Sequence, residues 1–177
     1  MIGKIVHVNN EMQKKYSYKL ERNEGDLSDL VGFTPDLSPI QMLEYGIMGG
    51  KYFSDVIYDF EYPDHIRKLI FVSSVGQASQ ANKNKNYFKI QASQSLAVWR
   101  ENGWIIGDDP RGWIEWYLRT WMGRRDPEID KVQIKRWRQM RRHLAQLKSS
   151  CKVGDHKCQP RRRQSLLHWG YDTVTKY

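Results

Sequence analysis

Tryptophan and basic residues are concentrated in one part of the chain, between Asp109 and Asp172. This part contains five of the seven tryptophans. Within it, residues 111–163 include 16 Lys or Arg but only 5 Asp or Glu, whereas the whole chain has a formal net charge of +9. Indole rings are stabilised by burial, and clustered cations attract polyanions. The chain therefore has to bury several tryptophans beside a surface that favours nucleic acid or another polyanion.

The length and composition are typical of one folded domain. A chain of 177 residues, of which 40% are hydrophobic, can bury a core of its own. No segment approaches the roughly 20 apolar residues of a membrane span, and the first residues lack the apolar region of a signal peptide. Two cysteines are too few for the disulfide framework of a small secreted domain. We therefore expect an intracellular protein, cytoplasmic or nuclear and not secreted, with no membrane as partner.

Turn and capping residues predict how the chain is organised. We expect residues 1–37 to form an irregular lead-in with a short strand at 1–8, and residues 38–177 to form a single globular, mainly helical domain. The predicted helices lie at 39–45, over about ten residues from Ser93, and at 112–122, 127–148 and 160–170. Residues 64–71 fit a short helix, and residues 68–74 alternatively fit a strand. The predicted fold class is mainly α, or α+β with minor strands, as a compact domain with a C-terminal trihelical basic unit.

The longest predicted helix has two opposite faces. At about 100° per residue, its apolar side chains, among them Ile129, Trp137 and Leu144, fall on one side. The opposite side carries a row of cations that we call the basic stripe. The basic stripe consists of Lys131, Lys135, Arg138 and Arg142. Like charges at these spacings repel one another, so the row favours a helix that contacts phosphate groups over an ordinary solvated face.

Two further groups of arginines fit the same function. Three consecutive arginines open the last predicted helix, where the helix dipole disfavours cations unless an anion compensates. Two more follow the helix at 112–122. The predicted nucleic-acid contacts are therefore the basic stripe together with Arg161, Arg162, Arg163, Arg124 and Arg125.

Polar residues among the tryptophans indicate a second kind of site, a pocket. A glycine-rich turn precedes Lys51, but the spacing is not that of a P-loop and a turn without a ligand is the simpler explanation. Gln133 and Arg136 project into the apolar face of the long helix. Either Arg136 pairs with an acid such as Glu115 or Asp109, or it lines a pocket. The candidate pocket residues are Lys51, Asp109, Arg111, Gln133, Arg136, His143 and His168.

The two cysteines enclose a short segment that contains a histidine. Cys151, His156 and Cys158, together with His143 or His168, could supply four ligands to zinc, but the spacing is not that of a standard zinc site. A disulfide across the segment is another alternative. For an intracellular chain we expect two reduced thiols, and we predict no metal and no cofactor.

Four segments resemble a known family. They are MLEYGIMGGKYFSD, NYFKIQASQSLAVWRENGWI, DPRGWIEWYLRTWMGRRDPEIDKVQIKRW and RQSLLHWGYD, and they are similar to an uncharacterised family of small bacterial, viral and plant proteins. The resemblance covers roughly residues 38–172. It implies that the glycine turn and the tryptophan–arginine core belong to one domain that excludes the first thirty-odd residues. Since that family has no established activity, the resemblance implies no catalytic residue.

The sequence thus favours a protein that binds nucleic acid, with DNA preferred over RNA because no RNA-recognition signature is present. One alternative is an enzyme acting on nucleic acid or nucleotides. It would require Lys51, Arg111, Arg136 and His168 to meet in one closed cleft. Another alternative is a virion-associated structural protein. No P-loop or Ser-His-Asp spacing supports a specific reaction.

Overall fold

The computed structural model describes all 177 residues, and most of its regular elements are helices. There are seven α-helices: α1 Pro39–Tyr45, α2 Asp64–Ser73, α3 Leu96–Glu101, α4 Trp113–Met122, α5 Pro127–Gln139, α6 Arg141–Ser150 and α7 Pro160–Leu167. Two strands, β1 Ile5–Val8 and β2 Tyr16–Lys19, form the single sheet. The predicted mainly α class is therefore confirmed. None of the helices combines the length and the apolar character that crossing a membrane would require.

The N-terminal residues form a hairpin that packs against the helices. β1 and β2 are antiparallel, with Val8 opposite Tyr16. Because side chains alternate along a strand, Val6, Val8 and Tyr18 all enter the core. The backbone amides after β2 donate to the carbonyl oxygen of Gly123, at 2.8 and 3.2 Å. The hairpin is thereby attached to the end of α4.

Local capping signals predicted several helix ends correctly. The Ser38 hydroxyl accepts the backbone N–H of Gln41, whose side chain accepts that of Ser38, so α1 begins with a capping box. α4 ends at Gly123, which has a φ of 117°. The segment that fitted a helix or a strand is helix α2. α3 is shorter than predicted and begins after Ser95 instead of near Ser93, because the hydroxyl of Ser95 caps it.

The helix predicted at 127–148 is two helices, α5 and α6, that meet at Met140. The N–H of Met140 bonds to the carbonyl of Trp137, three residues back, so the α-helical pattern is interrupted there. No proline or glycine marks this position, and the apolar spacing continues across it. The prediction of one helix was therefore wrong, and Arg142 lies on a different helix from the other basic-stripe residues.

Helix α4 lies at the centre of the structure. Every residue of α4 except Trp121 is buried, and 27 buried hydrophobic residues form one continuous cluster around it. The Trp116 indole donates to the Asp130 carboxylate at 2.8 Å, which joins α4 to α5. The hydroxyl of Tyr171, in the segment after α7, donates to the carbonyl of Trp137 on α5 at 2.7 Å. The C-terminal helices thus pack around one shared core.

Candidate functional site

One depression in the surface is lined mainly by aromatic side chains, and we call it the aromatic pocket. Its volume is about 540 Å³. Four tryptophans, Trp99, Trp104, Trp113 and Trp169, contribute to its walls together with Tyr52. Trp104 is 48% exposed, although most tryptophans in folded chains are largely buried. The pocket therefore presents indole surface to solvent.

Several elements hold these rings in place. Trp113 begins α4, and its indole donates to the carbonyl of Gln133 on α5 at 3.1 Å while its ring centre lies 4.8 Å from that of Trp169. The Tyr52 hydroxyl donates to the carbonyl of Arg111 and accepts the N–H of Glu115 at 3.1 Å, which fixes its ring. Trp113 and Tyr52 are thus held by hydrogen bonds to the backbone around α4 and α5.

His168 lines the aromatic pocket and is almost wholly buried. Its Nε2 accepts the N–H of Met48 at 3.2 Å and the side-chain amide of Gln164 at 3.0 Å. The orientation of Gln164 is set because its oxygen accepts the N–H of Phe88 while its nitrogen also donates to the carbonyl of Gly46, both at 3.0 Å. Nε2 therefore carries no proton, and the proton of the neutral ring is on Nδ1.

The Nδ1 atom of His168 has no hydrogen-bond partner in the protein, and it retains some solvent-accessible surface. Burial lowers the pKa of His168 to about 3. The ring is thus neutral at physiological pH. His168 presents one fixed hydrogen-bond donor, and the aromatic pocket is the cavity that it lines.

Two arginines line the same pocket without a carboxylate partner. Arg136 donates to the carbonyl of Trp104 at 2.6 Å and to the side-chain oxygen of Gln133 at 3.3 Å, and burial lowers its pKa. Arg142 is exposed and has no hydrogen-bond partner. The alternative in which Arg136 pairs with an acid such as Glu115 or Asp109 was wrong, because other arginines occupy those acids. Arg136 instead lines a pocket.

A second depression, the basic pocket, continues from the first. It has a volume of about 450 Å³ and shares Ala92 and Ser165 with the aromatic pocket. His143, Arg161 and Arg162 line it, and burial together with Arg142 and Arg162 lowers the pKa of His143. No Asp or Glu lines either pocket. We call the two pockets together the groove; its only charged residues are basic.

A separate cluster of ionic groups lies inside the protein. Arg119 is fully buried and contacts the carboxylates of Glu61, Asp109 and Glu115 at 2.7, 3.1 and 3.4 Å. Burial acts to lower the pKa of Arg119, but the surrounding anionic groups raise it overall. Burial also raises the pKa of Glu115, against the effect of Arg119 and Arg111. Arg111 completes the cluster by bonding to Asp55 and Glu115.

This cluster accounts for two of the candidate pocket residues. Asp109 and Arg111 are 1% and 2% exposed and bond within the cluster, so neither reaches the groove. Lys51 lies elsewhere and donates to the carbonyl of Gln77 at 2.7 Å. The hypothesis of an enzyme required Lys51, Arg111, Arg136 and His168 in one cleft, and only the last two meet. Gln133 is buried behind Arg136, and His143 lies in the basic pocket.

Three of the predicted nucleic-acid contacts have partners inside the protein. Arg124 is buried and bonds to Asp109 at 2.6 Å. The Arg125 side chain is 6% exposed and pairs with Asp29 at 2.8 Å. Arg163 is fully buried, and its donors bond to backbone carbonyls, including that of Tyr177 at 2.7 Å. The prediction that these three contact phosphate was therefore wrong, because burial and pairing occupy their donors.

The other predicted contacts are accessible. Lys131, Lys135 and Arg138 are exposed on α5; Lys131 pairs with Glu128 at 3.3 Å, and Arg138 donates to two loop carbonyls. Arg161 is exposed at the start of α7, whereas Arg162 is partly buried and donates to the side chain of Gln159. Arg142 follows the break at Met140 and lines the aromatic pocket, so the basic stripe does not lie on one continuous helix.

Cys151 and Cys158 form a disulfide. The expectation of two reduced thiols was therefore wrong, and both candidate zinc thiolates are used by the bond. His156 instead bonds to the carbonyl of Val174 at 2.8 Å. No group of three or more His, Cys, Asp or Glu residues is arranged to hold a metal ion. The Cys151–Cys158 bond closes the segment that connects α6 to α7.

The sequence reasoning missed the aromatic pocket itself. Trp99 and Trp104 lie outside the basic part of the chain, and Tyr52 is more than forty residues before them. A signal was present in the spacing of Trp99 and Trp104 around a glycine turn, but only tertiary packing brings them to Trp169.

Comparison with known proteins matches the chain to no family model, no curated protein and no solved structure.

Proposed function

We propose that this protein binds nucleic acid, in the first instance DNA, along the groove. The observation that carries the proposal is the composition of its walls. Arg136, Arg142, Arg161, Arg162 and His143 line the two joined pockets, and no carboxylate does. The four arginines have no anionic partner in the protein, so their charge is available to a ligand. A run of phosphates is the ligand that satisfies several such charges at once.

The state of the arginines distinguishes this groove from an ordinary basic surface. Exposed cations on a solvated face are usually interspersed with acids. Arg142 and Arg161 have no partner in the protein, and Arg136 is half-buried with only neutral acceptors. Guanidinium groups bind phosphate oxygens in bidentate geometry, and nucleic-acid binding also releases condensed counterions. Both effects favour a polyanion over a single small anion.

The basic stripe extends this surface unevenly. Lys135 is exposed on α5 one helical turn before Gln139, which lines the aromatic pocket. Arg138 is turned towards a loop and bonds to the carbonyls of residues 31 and 32. We expect Lys135 to contribute to phosphate binding and Arg138 to contribute little. The groove residues provide the main contacts.

The test is a binding titration over a salt series. Fluorescent single-stranded and duplex DNA of one sequence are bound to the wild type and to the triple variant Arg142→Ala, Arg161→Ala, Arg162→Ala. A matched control replaces Lys4, Lys14 and Lys19, three exposed lysines without side-chain partners, by Ala. The slope of log K against log salt is negative, and loss of three phosphate contacts should make it shallower by about 2–3. The control leaves the slope near that of the wild type.

Two results would contradict the proposal. The first is the absence of binding to either form of DNA at low salt. The second is an equal loss in the groove variant and in the control, because that would indicate general charge attraction without a site. Thermal unfolding of each variant shows whether it is folded. An RNA strand of the same sequence, titrated alongside, tests the preference for DNA.

We also propose that the protein is intracellular, because its proposed ligand is nucleic acid. One feature argues against it: disulfides such as Cys151–Cys158 are typical of oxidising compartments. Trapping the thiols with an alkylating reagent in intact cells, before lysis, measures the redox state of the pair. A fully oxidised pair would move the proposed location to an oxidising compartment, and binding in vitro would be unaffected by that outcome.

A further inference from the structure

We propose that the aromatic pocket takes one unpaired base, so that the groove selects single-stranded nucleic acid over a duplex. This inference rests on the proposed function and adds the form of nucleic acid to it. An enclosed hydrophobic ligand site would be closed by its own side chains, but Trp104 is 48% exposed beside half-buried Trp99 and Trp169. Exposed indole faces next to cations are typical of sites that stack bases.

The polar groups of the pocket fit the edge of a base. His168 presents a fixed N–H, since its Nε2 accepts two donors and its free Nδ1 must carry the proton. The guanidinium of Arg136 is held by the carbonyl of Trp104 and by Gln133, which leaves other N–H groups without a partner. The edge of each base carries acceptor atoms, either ring nitrogens or carbonyl oxygens. An unpaired base therefore satisfies donors that the protein leaves free.

The order of the two pockets fits a strand. Arg142 lines the aromatic pocket, and the basic pocket with Arg161 and Arg162 begins where the two share Ala92 and Ser165. Every base in a strand is flanked by phosphates on both sides. With a base among the tryptophans, one adjoining phosphate lies towards Arg142 and the following ones lie along the basic pocket. An aromatic site followed by a basic channel is the arrangement that tracks single strands.

A duplex does not fit this arrangement. In a duplex each base is stacked on both faces and its pairing edge is occupied, so it can enter the pocket only by flipping out, which is energetically unfavourable. A free mononucleotide carries the same base and phosphate, but it cannot occupy the basic pocket at the same time as a strand does. Binding of a strand should therefore exceed binding of a mononucleotide.

The experiment compares ligands that share phosphates but differ in bases. A twelve-residue DNA strand, its duplex, the same backbone made fully abasic, and a nucleoside monophosphate are titrated at one salt concentration. Fluorescence anisotropy reports binding, and quenching of tryptophan fluorescence reports stacking. We expect the strand to bind at least ~10-fold more tightly than the duplex, the abasic backbone or the mononucleotide, with quenching only by ligands that carry unpaired bases.

Variants assign the effect to the pocket. Trp104→Ala removes an exposed ring without a side-chain hydrogen bond and should weaken strand binding by about 10-fold, with little effect on the abasic backbone. Trp104→Phe retains a stacking ring and should restore most of the affinity. Tyr58→Ala is the matched control, because Tyr58 is 80% exposed and lies outside the groove. The control should bind as the wild type does.

The outcomes separate this inference from the proposed function. If the strand, the duplex and the abasic backbone bind equally with a steep salt dependence, the base pocket is refuted while nucleic-acid binding stands. If the mononucleotide binds as tightly as the strand, the pocket is a nucleotide site and the single-strand assignment is refuted. If Trp104→Ala binds the strand as the wild type does, the base does not enter this pocket. If nothing binds at low salt, both proposals are refuted.

Discussion

Mild acid should destabilise this protein through His168. The ring accepts the N–H of Met48 and the amide of Gln164 on Nε2, so protonation of Nε2 would replace two favourable contacts by opposed donors. Burial lowers the pKa of His168 from 6.5 to about 3. In the unfolded chain the ring recovers its ordinary pKa. Between these two values the unfolded state binds a proton that the folded state does not.

The direction and size of the effect follow from this difference. Since the unfolded state binds more protons, the free energy of unfolding rises with pH; it is fully present above about pH 6.5 and is lost as the pH falls towards 3. One pH unit well inside this window corresponds to about 1.4 kcal/mol. Between pH 6.5 and 4.5 the loss is about 2 kcal/mol. That is a substantial share of the roughly 5–15 kcal/mol that stabilises a typical domain.

Urea unfolding followed by tryptophan fluorescence at a series of pH values measures this loss. The variant His168→Gln keeps an acceptor but cannot titrate, so its unfolding free energy should change by about 2 kcal/mol less over the same range. His143→Gln is the control, because the pKa of His143 is also lowered but its ring is only partly buried. If the wild type and His168→Gln lose stability in parallel, the reasoning about a buried neutral ring is refuted.

Three further predictions concern the scaffold. Arg119→Met should lower the free energy of unfolding by about 3–5 kcal/mol, because it leaves the buried carboxylate of Glu61 without its cation, and urea titration measures it. Gly123→Ala should lower the free energy of unfolding by about 2 kcal/mol or more, since the new Cβ would lie 2.1 Å from a backbone oxygen at a residue whose φ is +117°. Gly154→Ala is the control, because a Cβ there would have no atom within 4 Å, and its loss in the same assay should be about half as large or less. Replacing Cys151 and Cys158 by Ser should lower stability by about 2–3 kcal/mol, and two free thiols in the denatured, unreduced protein would contradict the disulfide.

Features that depend on neighbouring residues along the chain were predictable from the sequence. Ser38 caps α1, Gly123 ends α4 and Asp126 caps α5, since a helix end needs a local acceptor or a glycine. The break at Met140 was not predictable in this way. The apolar spacing is the same on both sides of it, so no local signal separates α5 from α6.

The candidate site was predictable in part. Three residues of the aromatic pocket were selected from the sequence. Arg136 is a polar residue on an apolar helix face, Arg142 belongs to a row of cations, and His168 is a histidine among tryptophans. The aromatic walls were not selected. Exposed and buried tryptophans look alike in a sequence, and the 48% exposure of Trp104 results from how α3 and the following turn pack.

The arginines show why local charge is an incomplete guide to a binding surface. Arg111, Arg119 and Arg124 belong to the basic part of the chain, but two of the acids that neutralise them, Asp55 and Glu61, come from a part that is far away in sequence. Those charges stabilise the core and are unavailable to a ligand. Four arginines without such acids, Arg136, Arg142, Arg161 and Arg162, line the groove, and no carboxylate lines it. Whether an arginine of this fold is paired internally therefore depends on acids that are distant in sequence, which only the tertiary structure reveals.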